Sequence, residues 1–188
     1  YTQNINGNLV INTRDVVLKD MTVKGNLYLA PGIGDGDVTL EGITVEGQTF
    51  VEGGGINSIK SRDCKFHESL KISAAHPVRI VVQGDAVKIE ALPGTNVTLT
   101  GNFKEVVVTE NVAMIVKDAQ VQNIIVQPPL EASKDPKMAA PKIEIAAGAV
   151  VKQLQADTAL VTTGTGKIEN LIVNAGDVKV AQKPVATT

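Results

Sequence analysis

The stretch GDGDVTLEGITVEGQTFVEGGG, residues 34–55, restates VVLKDMTVKGNLYLAPG, residues 16–32, one unit earlier. A third version, IKSRDCKFHESLKIS, begins at Ile59. The starting points Val16, Val38 and Ile59 lie 22 and 21 residues apart. Aligned this way, apolar residues fall into columns: Met21, Ile43 and Cys64; Val23, Val45 and Phe66; Leu29, Val51 and Ile72. One column, Leu18 and Leu40, is interrupted by Ser61. Within each unit, apolar and polar residues alternate with period two, the signature of strands with one buried face. Val, Thr and Gly dominate and no helix caps are present, so each unit reads as short strands broken by turns at Gly or Asn. A unit of this size has nothing of its own to cover its apolar face, and only stacking on its neighbours buries it. The expected fold class is therefore all-β. It is a parallel β-helix with turns of about 21 residues in the first half, looser later, each strand pairing with its equivalent one turn on. Parallel crossovers are almost always right-handed, which favours that hand here.

Further along, the pattern loosens. VKI from Val87, VVV from Val106 and IIV from Ile124 follow at 19 and 18 residues, and VTL from Val97 precedes MIV from Met114 by 17. Residues 127–141, QPPLEASKDPKMAAP, hold four prolines and no period, and read as a long loop leaving the helix. Strand signals resume at KIEI from Lys142, ALV from Ala159, NLIV from Asn170 and DVKV from Asp177. A single β-helix domain is thus expected over residues 1–180. Residues 181–188 read as a linker to a further domain of a longer protein, which also fits a sequence that begins without Met.

Composition narrows the function. The 188 residues are 43% hydrophobic but only 3% aromatic, with a formal charge of −2. That balance offers no basic patch for nucleic acid. No apolar run approaches the roughly 18 residues of a membrane span. A single cysteine, Cys64, rules out an internal disulfide, and its column marks it as a buried apolar thiol.

Residues 15–66, DVVLKDMTVKGNLYLAPGIGDGDVTLEGITVEGQTFVEGGGINSIKSRDCKF, resemble a module of Gram-positive bacterial surface proteins that often carry S-layer homology domains. Residues 164–184, GTGKIENLIVNAGDVKVAQKP, are similar to the last turn of such modules. Together the two phrases cover well under half the sequence. The resemblance implies a right-handed β-helix of the pectate-lyase-like superfamily and an extracellular place on the bacterial cell surface. That superfamily includes polysaccharide lyases, carbohydrate-binding adhesins and plain spacers, so the fold alone does not choose among them.

Several residues carry candidate chemistry. The turn GIGDGD, residues 32–37, offers Asp35 and Asp37, with Glu52 about one turn away. Calcium is the ion such a turn would take, although calcium wants 6–8 oxygens; a Gly/Asp turn needs no metal to form. Lys19, Glu41 and Arg62 stack on the outer face, as do Lys24, Glu46 and His67, giving ladders of alternating charge. Arg62 is also the one residue placed like the arginine base that the resemblance to pectate lyases implies. Tyr28 and Phe50 point outward one above the other, followed by Lys71. They form either a platform for a sugar ring or a simple aromatic ladder. Thr22 and Thr44 stack too, but Lys65 ends the flat threonine row that ice binding would need. The expected function is a non-catalytic cell-surface module, adhesive or spacing, that binds polysaccharide weakly or not at all. The alternative is a polysaccharide lyase or glycosidase of β-helix type.

Overall fold

The computed structural model describes residues 3–128 and 139–187. The polypeptide winds as a parallel β-solenoid of about nine turns, spaced about 19 residues apart. Each early turn lays down three short strands on three faces. The first face stacks Leu9–Ile11, Leu27–Leu29, Thr49–Val51 and Leu70–Ile72. The second stacks Val16–Lys19, Val38–Glu41 and Lys60–Arg62. The third stacks Thr22–Val23, Thr44–Val45 and Lys65–Phe66. From Val16 onward these registers are the 22- and 21-residue offsets of the sequence repeat, while Leu9–Ile11 meets Leu27–Leu29 at an offset of 18. Every pairing is parallel, because each strand meets its own equivalent after one circuit.

The core is the interior of the coil. Val38, Leu40, Ile43, Val45 and Val51, the inward residues of the repeat, are all completely buried. Cys64 is buried in the same column as Ile43 and Met21. Ser61, which interrupts the Leu18–Leu40 column, is also buried, and its hydroxyl donates to the Val81 carbonyl at 3.2 Å. A polar residue is thus tolerated inside where the next turn supplies an acceptor.

The corners explain how the backbone turns so tightly. Asp20, Gly42, Asp63 and Gly84 succeed one another at the same corner, all with positive φ (47°, 61°, 52° and 107°). Aspartate tolerates the left-handed region better than most residues, and glycine has no side chain to resist it. The alternation has a steric cause. A Cβ at Gly42 would lie 2.5 Å from Asp20 Oδ1, and one at Gly84 would lie 2.9 Å from Asp63 Oδ1. Another corner is held by side-chain amides: Asn8 Oδ1 accepts from the Asn26 N–H at 2.8 Å, and Asn26 Oδ1 from the Gln48 N–H at 2.9 Å. Gln48 continues the ladder by donating to the Ser69 carbonyl.

From Val78 the strands lengthen. Val78–Ala91, Asn96–Val108 and Ala113–Val126 are each continuous strands of 13 or 14 residues. Here the register differs from the sequence alignment. Ile89 pairs with Val106, 17 residues on, while Val87 pairs with Phe103. The shift arises at bulges between Val82 and Val87 and between Val87 and Lys88. A bulge changes the residue count of one turn while apolar residues continue to face inward on either side, so the apolar pattern does not report it. Phe103, the largest fully buried side chain among the described residues, sits beside the bulge, paired with Val87.

The expected loop at 127–141 falls between two rungs. Residues 129–138 lie outside the described residues. On either side of them the ladder is continuous: Gln127 N–H donates to the Val108 carbonyl and Lys142 N–H to the Val112 carbonyl, both at 2.9 Å. Ile124 pairs with Leu154, thirty residues on, where its predecessor pairing spans eighteen. The insertion therefore lengthens the turn but does not break the stack.

The solenoid continues beyond residue 180, where the sequence suggests a linker. Val185 N–H donates to the Ile168 carbonyl at 3.2 Å, and Ala186–Thr187 pairs in parallel with Asn170 and Leu171. Gln182 is buried against this end. Its Oε1 accepts from Thr162 Oγ1 at 2.7 Å, and its Nε2 donates to the carbonyls of Thr163 and Gly164. Polar residues that look like linker in sequence here bond to the rung before them. Among the described residues no helix is long and apolar enough to cross a membrane.

Candidate functional site

The outward residues of the first face form one row along the solenoid: Val10, Tyr28, Phe50, Lys71, Glu90 and Val107 in the first six rungs. Neighbours in such a row meet across the rung spacing of about 4.8 Å. Tyr28 and Phe50 do so. Their ring centroids are 4.9 Å apart and the planes are inclined by only 7°. Both residues are half-buried. Tyr28 Oη accepts from Asn26 Nδ2 at 3.1 Å, which ties the ring to the amide ladder at the corner.

The two rings thus stack on each other. Each covers one face of its partner, and their edges line the row. The arrangement is an aromatic ladder of two stacked rings. Beyond Phe50 the row changes character: Lys71 Nζ lies 3.6 Å from Glu90 Oε2.

The second face carries the charged row. Lys19 Nζ is 2.8 Å from Glu41 Oε2, and Arg62 approaches the other Glu41 oxygen at 3.9 Å. The Lys19 hydrogen bond holds the Glu41 carboxyl below its ordinary value, outweighing an upward push from desolvation; the charges of Lys19 and Arg62 act in the same direction as the bond. Arg62 Nε also donates to Gln83 Oε1 at 3.1 Å. The expected stacking of Lys19, Glu41 and Arg62 is therefore present as an ion-paired ladder. The companion row Lys24, Glu46 and His67 is exposed, and no ion pair closes along it among the described residues.

Asp35 and Asp37 do not converge on one point with other acids. Asp35 is exposed. Asp37 is engaged by Lys60 Nζ at 3.1 Å. Among the described residues no cluster of three or more His, Cys, Asp or Glu side chains is placed to hold a metal ion. The turn itself is explained without one: Pro31–Ile33 forms a short 3₁₀ turn and Gly34 closes it with φ of 60°.

A groove on the second face has no counterpart in the sequence repeat. Asp37, Glu41, Lys60, Arg62, Arg79 and Gln83 line this open depression of about 430 Å³. Lys60 was legible in principle, since it pairs with Thr39 one rung earlier in the repeat. Arg79 was not, because the irregular segment before Val78 hides its register. Its Nε donates to Thr100 Oγ1 at 3.1 Å.

Cys64 has no place in either row. Its Sγ lies 3.4 Å from the Leu40 carbonyl and 3.3 Å from the Arg62 carbonyl, and burial pushes the thiol above its ordinary value.

No family model, no curated protein and no solved structure matches the sequence.

Proposed function

We propose that this protein is a non-catalytic module of the bacterial cell surface whose main work is spacing, with at most weak adhesion to polysaccharide. One observation carries the reading: the outward groups that look chemically capable are largely engaged with one another. Tyr28 stacks on Phe50, Lys71 pairs with Glu90, Lys60 with Asp37, and Lys19 and Arg62 share Glu41. Such ladders stabilise the rungs they join, by about 0.2–1 kcal/mol per pair, and leave little binding energy for a ligand. An arginine base would need its guanidinium free for substrate, whereas Arg62 is held between Glu41 and Gln83. A stack of hydrogen-bonded rungs is stiff along its axis, which suits a spacer.

The test combines two assays on the parent and on the Tyr28→Ala, Phe50→Ala double variant. Pull-down on a panel of insoluble plant and bacterial polysaccharides should retain little parent, and less of the variant if adhesion exists. Incubation with polygalacturonate should give no rise in ultraviolet absorbance from unsaturated product. Measurable turnover by the parent would overturn the non-catalytic reading. Strong retention unaffected by the double variant would remove the ring edges as the contact.

A further inference from the structure

We propose that Asn6–Gly7 is a site of spontaneous deamidation that alters the first rung of the solenoid. It is the sole Asn-Gly dipeptide in the sequence. Both residues are exposed, and a Cβ at Gly7 would meet nothing within 4 Å. Among the described residues neither the Asn6 amide group nor the Gly7 N–H has a hydrogen-bond partner, although the Gly7 carbonyl accepts from Gly25 N–H at 3.0 Å.

The chemistry needs only the backbone and water. The Gly7 amide nitrogen loses its proton to hydroxide and attacks Asn6 Cγ. A new N–C bond closes a five-membered succinimide, the Asn6 Cγ–Nδ2 bond breaks, and ammonia leaves with a proton taken from water. Water then adds to one of the two imide carbonyls and opens the ring to aspartate or isoaspartate. A free amide proton and a following residue without a side chain are the two features that favour the attack. Asn6–Gly7 has both.

The molecule contains its own comparisons. Asp35–Gly36 can close the same ring by losing water, but Gly36 N–H donates to the Ile33 carbonyl at 3.0 Å and a Cβ there would lie 2.2 Å from Arg14 Cβ, so that site is closely packed. Asn57–Ser58 is held similarly, with Ser58 N–H donating to the Gly55 carbonyl at 3.1 Å.

The product matters because Asn6 lies between fixed points. Ile5 is anchored to the second rung by its N–H to the Thr22 carbonyl at 2.8 Å and by its carbonyl to Lys24 N–H at 3.0 Å. On the other side, Gly7, Asn8 and Leu9 are anchored to Gly25 and Asn26. Isoaspartate routes the backbone through the former Asn6 Cβ and Cγ and lengthens it by one atom. That extra atom cannot fit between both anchors, so one set of bonds must open. Ordinary aspartate adds no atom to the backbone and leaves both anchors in place.

The experiment ages the intact protein at mildly alkaline pH and maps peptides by mass, with an isoaspartyl methyltransferase to report the isomer. The peptide containing Asn6 should gain one mass unit at least about tenfold faster than the one containing Asn57. Gly7→Ala should slow the conversion by a similar factor, and Asn6→Gln should abolish it without loss of fold. Hydrogen exchange at residues 3–9 should rise in aged parent and stay unchanged in aged Asn6→Gln. Conversion of Asn57 ahead of Asn6, or an unaltered rate in Gly7→Ala, would overturn the assignment of the site. Unchanged exchange in fully isomerised protein would overturn its effect on the rung.

Discussion

Replacing Thr49 by valine should stabilise the protein. Thr49 occupies an inward position between Leu27 and Leu70 on the first face and is 1% exposed. Its Oγ1 is the one buried polar side-chain atom without a hydrogen-bond partner among the described residues. Other buried hydroxyls have partners: Ser58 accepts from Val38 N–H, Thr95 donates to the Leu92 carbonyl and Thr162 to Gln182. A buried hydroxyl with no partner loses its water without replacement, at a cost of about 1–3 kcal/mol. Valine keeps the β-branched shape that the strand prefers and removes that cost. The net gain should be about 1–2 kcal/mol, since a methyl is not a perfect copy of a hydroxyl in a tight column. For a domain of this length that raises Tm by about 2–8 °C. Urea unfolding should show a higher midpoint with an unchanged slope. Thr49→Ser serves as control: it keeps the hydroxyl, loses the methyl and should destabilise. If Thr49→Val were neutral or destabilising, the hydroxyl would have a partner and the description of this column would be wrong.

Other expectations follow from the same packing. Ile43→Asp should abolish folding, because it puts an unpaired charge into a fully buried column; a cooperative melt at the parent temperature would show that position 43 does not face inward. Glu41 has a lowered pKa, so its ionised form favours the folded state. Its contribution is present above the ordinary carboxylate value of 4.5 and is lost as pH falls through the lower folded value. Melting temperatures of parent and Glu41→Gln should therefore differ at neutral pH and converge in acid; a constant difference would contradict the ladder. Cys64 should resist a thiol reagent in the folded protein and react once unfolded. Because its pKa is raised, its contribution is complete below the ordinary value of 9.0 and declines as the solution becomes more alkaline than that. Rapid native-state labelling would contradict its burial.

The first three turns were legible because three things repeat together: apolar parity, corner residues and spacing. Val38, Leu40, Ile43 and Val45 could be placed inside from alternation alone. Beyond Val78 only parity persists, and parity is blind to an even slip; hence the sequence aligns Ile89 with Val108, whereas the fold pairs it with Val106. The side-chain ladders do have a signal in the sequence. Asn8, Asn26 and Gln48 each follow a glycine at matching positions of the repeat. Asp20, Gly42, Asp63 and Gly84 recur at the other corner at intervals of 21 or 22 residues. Tyr28 and Phe50 were correctly placed one above the other, but alternation says only that a residue points outward. That the rings would lie nearly parallel and cover each other depends on how outward side chains stand on adjacent rungs. The groove beside Arg79 depends on an irregular segment whose register no periodicity reports.

A spacer must hold its length, and the length of this stack of rungs is directly measurable. Val10 and Ile172 stand in the same outward row, eight rungs apart through Tyr28, Phe50, Lys71, Glu90, Val107, Ile125 and Gln155. Spin labels at Val10→Cys and Ile172→Cys, in a Cys64→Ala background, should give a narrow electron–electron distance distribution. At about 4.8 Å per rung it should centre near about 38 Å. A broad distribution, or one centred well short of that value, would contradict the stiff parallel solenoid and with it the spacer reading.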